Sequence, residues 1–148
     1  MSATASPLAA FDQVRQAKAR YCRYLDTGQW DAFTALLVPS SDIRIHDADC
    51  ALVVAFSSRE DFIASARDYL AGAQSIHQVH NDELTLVSDG EIGAIWSMED
   101  YIVFPQQADG RPSRHHGYGH YHETWLLGAD GWRLARLELR RTILEITP

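Results

Sequence analysis

The chain has 148 residues, which bounds it to one domain with room for a sizeable core or a modest internal cavity. Its 46% hydrophobic and 22% charged residues are those of an ordinary folded protein and argue against extended disorder. With 13 basic against 20 acidic residues the formal charge is -7, and no basic run is present, so a nucleic-acid backbone or an anionic membrane would be a poor partner.

Residues 1–6 read as a short flexible lead without the basic and apolar regions of a secretory signal. No later stretch reaches membrane-spanning length, so a cytoplasmic protein is expected. Ser6 and Pro7 supply an N-cap and a first-turn proline for a helix running to about Thr27. Leu8, Phe11, Val14, Ala17, Tyr21, Tyr24 and Leu25 form its apolar face, and Gly28 is a natural stop. A second helix spans Trp30 to about Val38 and is ended by Pro39. A third follows Ser58, whose side chain can cap near Asp61, and carries Phe62, Ala66, Tyr69 and Leu70 up to Gly72. Cys22 and Cys50 lack CxxC spacing and fit reduced thiols better than a disulfide framework, although one disulfide stays open.

Elsewhere the period changes to two. Ile43, Ile45 and Asp47 alternate with Arg44 and His46, and Ala51 to Phe56 is a short apolar strand. Strands over about 75–87, 92–104, 114–127 and 132–146 follow as a meander. They turn at Asp89-Gly90, at a longer loop around Asp109-Gly110-Arg111-Pro112, and at Asp130-Gly131. The pattern predicts an α+β fold with helices covering one face of a strongly curved sheet, part of whose concavity remains as a pocket. Phosphate loops, HExxH and GxSxG are absent, and Gly117 and Gly119 flank Tyr118 within a strand.

Asp26 lies in the last turn of the first helix, where the helix dipole disfavours a carboxylate. A solvated helix end is the plain explanation; the chemical one is a partner elsewhere. His77 opens a strand, and an imidazole becomes a directional base when its second nitrogen donates to a carboxylate. An Asp26–His77 dyad could thus remove a proton, the alternative being a histidine tied to backbone at a strand edge. His80 falls on the other face. The next strand places Ala94, Trp96, Met98, Asp100, Ile102 and Phe104 on one side, where Asp100 needs a partner because burying a lone carboxylate is costly. It could orient a catalytic group, hold a substrate hydroxyl or donate a proton, or simply bridge to a neighbouring strand.

The last strand offers Trp132, Leu134, Arg136, Glu138 and Arg140 on one face and Arg133, Ala135, Leu137, Leu139 and Arg141 on the other. Arg140 is the expected substrate clamp and Arg141 an outer ion pair, unless a bulge exchanges the faces. His116, Tyr118, His120 and His122 share one parity; His115, Gly117, Gly119, Tyr121 and Glu123 share the other. Histidines at i and i+2 can bind a metal, but such sets more often line a polar pocket or a subunit contact, and no metal is expected. If their face is internal, His116 or His120 contacts substrate or protonates a leaving oxygen; the same question applies to His122. Trp125 and Leu127, on the other side, could contribute apolar interface area.

Tyr21-Cys22-Arg23-Tyr24-Leu25-Asp26 with Gly28-Gln29-Trp30-Asp31, Ser75-Ile76-His77-Gln78-Val79-His80-Asn81, His120-Tyr121-His122-Glu123-Thr124 and Gly131-Trp132-Arg133-Leu134 together resemble the SnoaL-like branch of the nuclear transport factor 2-like superfamily. The group concerned contains scytalone dehydratase, bile-acid 7α-dehydratase and hexachlorocyclohexane dehydrochlorinase. The resemblance implies a single domain over 1–148 with its core at about 9–145. It also implies a cone-like fold with a mixed, mainly antiparallel sheet and an internal pocket. Carried over residue by residue, the catalytic aspartate and histidine match Asp26 and His77. The bile-acid enzyme's tyrosine, mid-sheet aspartate and last-strand arginine match Tyr21, Asp100 and Arg140. In the dehydrochlorinase a lysine stands where Tyr21 does, which argues against that activity, and the additional sheet histidine of scytalone dehydratase falls on His116 or His120.

The implied function is a cofactor-free dehydratase-type lyase acting on a hydrophobic cyclic or ketonic small molecule, with Trp96, Met98, Phe104 and Tyr24 completing the binding set. Cyclase or isomerase chemistry in the same pocket, or a non-catalytic binding or assembly subunit, are the alternatives, because one scaffold hosts all of them. A homotrimer is the expected assembly, a homodimer the alternative.

Overall fold

Pro7 occupies the first turn of α1 (Pro7–Asp26), as its missing N–H allows, but the Ser6 side chain makes no capping bond. The computed structural model describes residues 6–106 and 110–148; the expected lead over residues 1–5 and Asp109 of the long loop lie outside the described residues. Helix α1 ends where the chain turns through Gly28, at φ +66, a conformation that glycine takes without a Cβ penalty. α2 (Trp30–Ala35) is shorter than expected. The chain is extended again from Leu37, because β1 (Leu37–His46) enters the sheet beside Leu134 before Pro39 is reached. Pro39 is accommodated where the register slips between Leu37 and Asp42, so it interrupts the ladder and not the helix.

β2 (Leu52–Phe56) returns antiparallel to β1, and α3 (Arg59–Tyr69) starts at Ser58, whose hydroxyl accepts from the Asp61 N–H at 3.2 Å. The meander follows as β3 (Gln74–Ser88), β4 (Glu91–Val103), β5 (Arg114–Gly128) and β6 (Gly131–Thr147). One sheet of six strands results, in the order β2-β1-β6-β5-β4-β3, with β1 parallel to β6 and every other pair antiparallel. Three helices pack on it, so the α+β expectation with a mixed sheet holds.

Irregularities bend the sheet. β3 slips between His80 and Glu83, with Asn81 at φ 46, and β6 carries an extra residue at two places against β5. Helix α1 lies along the concave side and buries Val14, Ala17, Lys18, Tyr21, Cys22 and Leu25 against it. Inward residues of β4, β5 and β6, with Trp125, Ile92 and Leu134 fully buried, complete the core. Trp125 is therefore a core residue and not the interface residue expected from parity, whereas Leu127 is exposed. No helix among the described residues is long and apolar enough to cross a membrane.

Candidate active site

The end of the concavity that α1 leaves uncovered is a cavity of about 370 Å³. This is within the usual range for small-molecule sites. Its walls are mostly apolar: Leu25 from α1, Ile45 and Val54 from β1 and β2, Phe62 and Leu70 from α3 and its end, Leu137 and Leu139 from β6. Its polar pole is made by His77, Asp100, His115 and Arg141, with Tyr21, Tyr69 and Tyr121 alongside.

Asp26 reaches this pole from the last turn of α1, and its charge is held by donors from β3. The His77 backbone N–H donates to Oδ2 at 2.8 Å, the Ser75 hydroxyl donates to Oδ1 at 2.9 Å, and His77 Nδ1 lies 2.6 Å from Oδ1. Those three contacts replace the support that the helix dipole denies a carboxylate at this end. Since an ionised carboxylate only accepts, Nδ1 carries the proton and Nε2 of the neutral ring is the free basic nitrogen. His77 Nε2 is 4.0 Å from Asp100 Oδ2, too far for a hydrogen bond, and the ring lines the cavity.

Asp100 is buried opposite His77 across the β3–β4 ladder. Its partner is Arg141, which donates from Nη1 to Oδ1 at 2.9 Å and from Nη2 to Oδ2 at 2.8 Å. This corrects the expectation for Arg140, which is exposed on the outer face and donates to Glu138. The cause is a bulge that exchanges the two faces of β6: β5 pairs Trp125 with Leu134 but Thr124 with Arg136, leaving Ala135 as the extra residue. Trp132 and Leu134 point inward before it, Leu137, Leu139 and Arg141 after it. Burial opposes ionisation of Asp100, but His115 and Arg141 outweigh it and hold the carboxyl well below its ordinary range.

Gly117 is the seat of this pair. A Cβ there would stand 2.1 Å from Arg141 Nη1 and 2.6 Å from Asp100 Oδ1. At Gly119 a Cβ would meet the Arg140 carbonyl oxygen at 2.3 Å, where the second β6 irregularity brings the backbones together. The two glycines thus mark the close approach of β6 to β5 on the cavity side.

His115 completes the pole, on the strand flanking β4 opposite to β3. Its Nδ1 and the Tyr69 hydroxyl share a hydrogen bond of 2.9 Å, and its Nε2 is 3.5 Å from Asp100 Oδ1. That Nε2 is buried and makes no hydrogen bond among the described residues. The sequence reading passed over His115, although it shares parity with Tyr121 and Glu123, whose strand continues to the buried Trp125.

A second polar group lies deeper, on the far side of Tyr21 and Tyr121. Lys18 and Glu123, both fully buried at their side chains, form an ion pair. The Lys18 ammonium sits 3.8 Å from each of the two tyrosine ring centroids. Glu123 Oε2 accepts from the indoles of Trp96 at 2.7 Å and Trp125 at 2.8 Å. Lys18 was also missed, although it falls one helical turn from Val14 on the apolar stripe.

The remaining expected residues separate by location. Tyr21 lines the cavity, packed on Phe33 with ring centroids 4.9 Å apart. Burial above all, then Glu123 and Cys22, pushes its phenol well above the ordinary range, so it stays a neutral donor. Trp96, Met98 and Phe104 are buried as expected but form core behind the cavity wall, Trp96 on Glu123 and Phe104 against Tyr69. Tyr24 stands outside the cavity, with the Arg23 guanidinium over its ring. His116 and His120 lie on the face of β5 turned away from the cavity; His116 Nε2 meets Glu99 at 2.7 Å and His120 is exposed. His122 shares that outer parity. No group of three or more His, Cys, Asp or Glu side chains among the described residues is placed to hold a metal.

Comparison with known proteins agrees with this architecture. The sequence profile of the SnoaL-like domain matches residues 6–138. The probable cyclase FGR4 of Gibberella zeae is 30% identical over 134 residues, covering 86% of this chain and 88% of FGR4. A candidate scytalone dehydratase from Novosphingobium aromaticivorans superposes with a TM-score of 0.80 at 19% identity, over 98% of this chain and 91% of that one. A type 2 hexachlorocyclohexane dehydrochlorinase, LinA, gives 0.78 at 13% identity, over 95% and 90%. At such identities the two structures establish the shared fold alone. The chain belongs to the SnoaL-like domain family.

Proposed function

We propose that this chain is a cofactor-independent lyase of the dehydratase type acting on a hydrophobic cyclic or ketonic substrate. The observation that carries the reading is the 2.6 Å contact of His77 Nδ1 with Asp26, which leaves the other imidazole nitrogen as a base on a largely apolar cavity. His77 Nε2 takes a proton from the carbon next to a carbonyl or similar activating group, and Asp26 stabilises the imidazolium that forms. Tyr21, protonated across the physiological range, donates to the carbonyl oxygen on which charge develops or assists hydroxide to leave as water. Asp100 and Arg141 position the polar end of the substrate while the apolar wall receives its ring. An open cavity and a dyad within hydrogen-bond reach favour catalysis over a purely structural subunit.

A cyclase in the same pocket is the second reading, favoured by the likeness to FGR4. Proton removal alone does not decide whether the resulting enolate expels a group or closes a ring. A panel of hydroxylated cyclic ketones followed by mass spectrometry separates the two, since dehydration removes the mass of water and intramolecular ring closure without elimination removes none. On any substrate that turns over, His77→Ala is expected to lower kcat/KM by about 10²–10⁴-fold with folding preserved. Unchanged turnover would remove His77 as the base.

A further inference from the structure

We propose that His115 is a subsite for a substrate hydroxyl, and that the pairing of Asp100 with Arg141 restricts this subsite to uncharged groups. The inference rests on the reading of the cavity as a substrate site and adds a residue to it outside the Asp26–His77 dyad. His115 is 7% exposed, yet its Nε2 has no hydrogen-bond partner among the described residues. Leaving a buried polar nitrogen unpaired is costly, so a group that enters the cavity and pairs with it gains binding free energy there.

The neighbours define that group. Tyr69, at the end of α3, holds Nδ1, and the carboxylate of Asp100 stands 3.5 Å from Nε2. A nearby negative charge favours the tautomer with its proton on Nε2, so Nδ1 accepts from the Tyr69 hydroxyl and Nε2 is the donor. A ligand oxygen placed at Nε2 therefore accepts from His115, beside the Asp100 carboxylate, which can accept a hydrogen bond in turn. A hydroxyl does both. An ether or ketone oxygen does only the first, and a carboxylate brings a second negative charge against Asp100.

Charge pairing on the cavity side points the same way. Arg141 is the arginine or lysine lining the cavity among the described residues, and two of its N–H groups are committed to Asp100 in a bidentate pair. Asp26 and His77 add a carboxylate with a neutral base, and Asp47 stands on the lining near β2. The other buried cation, Lys18, is matched by Glu123. A buried arginine, which in isolation would invite a carboxylate ligand, is here neutralised before any ligand arrives.

The test is a binding series in the absence of turnover, using 2-naphthol, 2-methoxynaphthalene and 2-naphthoate as ring-matched hydroxyl, ether and carboxylate probes. The wild-type protein should bind 2-naphthol about tenfold or more tighter than either of the others. In His115→Phe the preference for the hydroxyl over the ether should shrink to about threefold or less, and His115→Gln, which retains a donor, should restore part of it. Asp100→Asn should raise 2-naphthoate affinity about tenfold by freeing the Arg141 charge. Equal wild-type affinities for 2-naphthol and 2-naphthoate, or a full hydroxyl preference retained in His115→Phe, would overturn the proposal. The wild-type ratios decide the charge question even where a variant does not fold. Because no turnover is read, failed ratios alongside a His77-dependent reaction sink the subsite alone, and sound ratios with a His77-independent reaction sink the lyase mechanism alone.

Discussion

Lys18 and Glu123 meet behind the rings of Tyr21 and Tyr121, whereas Asp100 and Arg141 meet on the wall of the cavity, and both pairs are buried. Around the first, the donors and acceptors close on one another: the ammonium lies between two aromatic faces and the carboxylate takes two indole N–H groups as well. Around the second, His115 Nε2 is left without a hydrogen bond among the described residues, on a ring that lines the cavity. The contrast separates a polar group that shapes the interior from one that is completed by a ligand. A closed network stabilises a unique packing; an incomplete one has binding free energy in reserve.

The comparison breaks if the two pairs respond alike to neutralisation. Removing one partner leaves a buried charge alone, so Lys18→Met and Arg141→Met should each cost about 3–5 kcal/mol in urea unfolding. The double replacements Lys18→Met with Glu123→Gln and Arg141→Met with Asp100→Leu should each recover more than half of that loss. Ligand binding then tells them apart. The first double variant keeps the hydroxyl preference of the wild type, because Glu123 and Lys18 do not line the cavity, and the second loses it. A first double variant with the preference abolished would show that the deeper pair reaches the ligand through Tyr21 and Tyr121.

Which of these groups could be read from the sequence follows from the period of each element. The alternation of β4 places Trp96, Met98 and Asp100 on the buried side without ambiguity, since no irregularity interrupts its pairing with β5 from Glu91 to Val103. The Asp26–His77 contact was reached by chemistry and by resemblance, because no local pattern connects a helix end to a strand 51 positions later. The exchange of Arg140 for Arg141 turned on a single extra residue at Ala135. Leu137 and Leu139, which share the parity of Arg141, carried the signal for that bulge, since an apolar pair is expected to mark the inner face. His115 is masked in the sequence by the denser set His116, His120 and His122 of the opposite parity, although Gly117, Gly119, Tyr121 and Trp125 of its own parity mark the side facing the core. Lys18 was hidden by its charge: a helical stripe is scanned for apolar residues, and a cation on it signals a carboxylate facing it from the sheet.

Gly117→Ala gives a smaller perturbation that sharpens the same contrast. The new methyl would collide with the far end of Arg141 and with the Asp100 carboxylate, both of which can shift, so the chain should still fold with a loss of about 1–3 kcal/mol as the bidentate pair loosens. The hydroxyl preference should fall with it, whereas Gly119→Ala strikes backbone at Arg140 and should cost stability more than selectivity.

The smallest expected effect is an absence of reaction. Cys22 lies on α1 beside Lys18, and burial first of all, with Glu123 and Asp26 adding to it, pushes its thiol up to about 11 despite the opposing ammonium. Cys50 is exposed in the turn between β1 and β2. Near pH 8 it is the thiolate that attacks a thiol reagent, so one thiol per chain should react rapidly and the second only at the rate of unfolding. Replacing Lys18 by Met removes the one charge that lowers the Cys22 thiol while loosening the helix around it. Faster labelling of Cys22 in that variant would therefore report opening of α1 and not a more acidic thiol, and an unchanged rate would mean that the tyrosine and tryptophan packing seals this region without the ion pair.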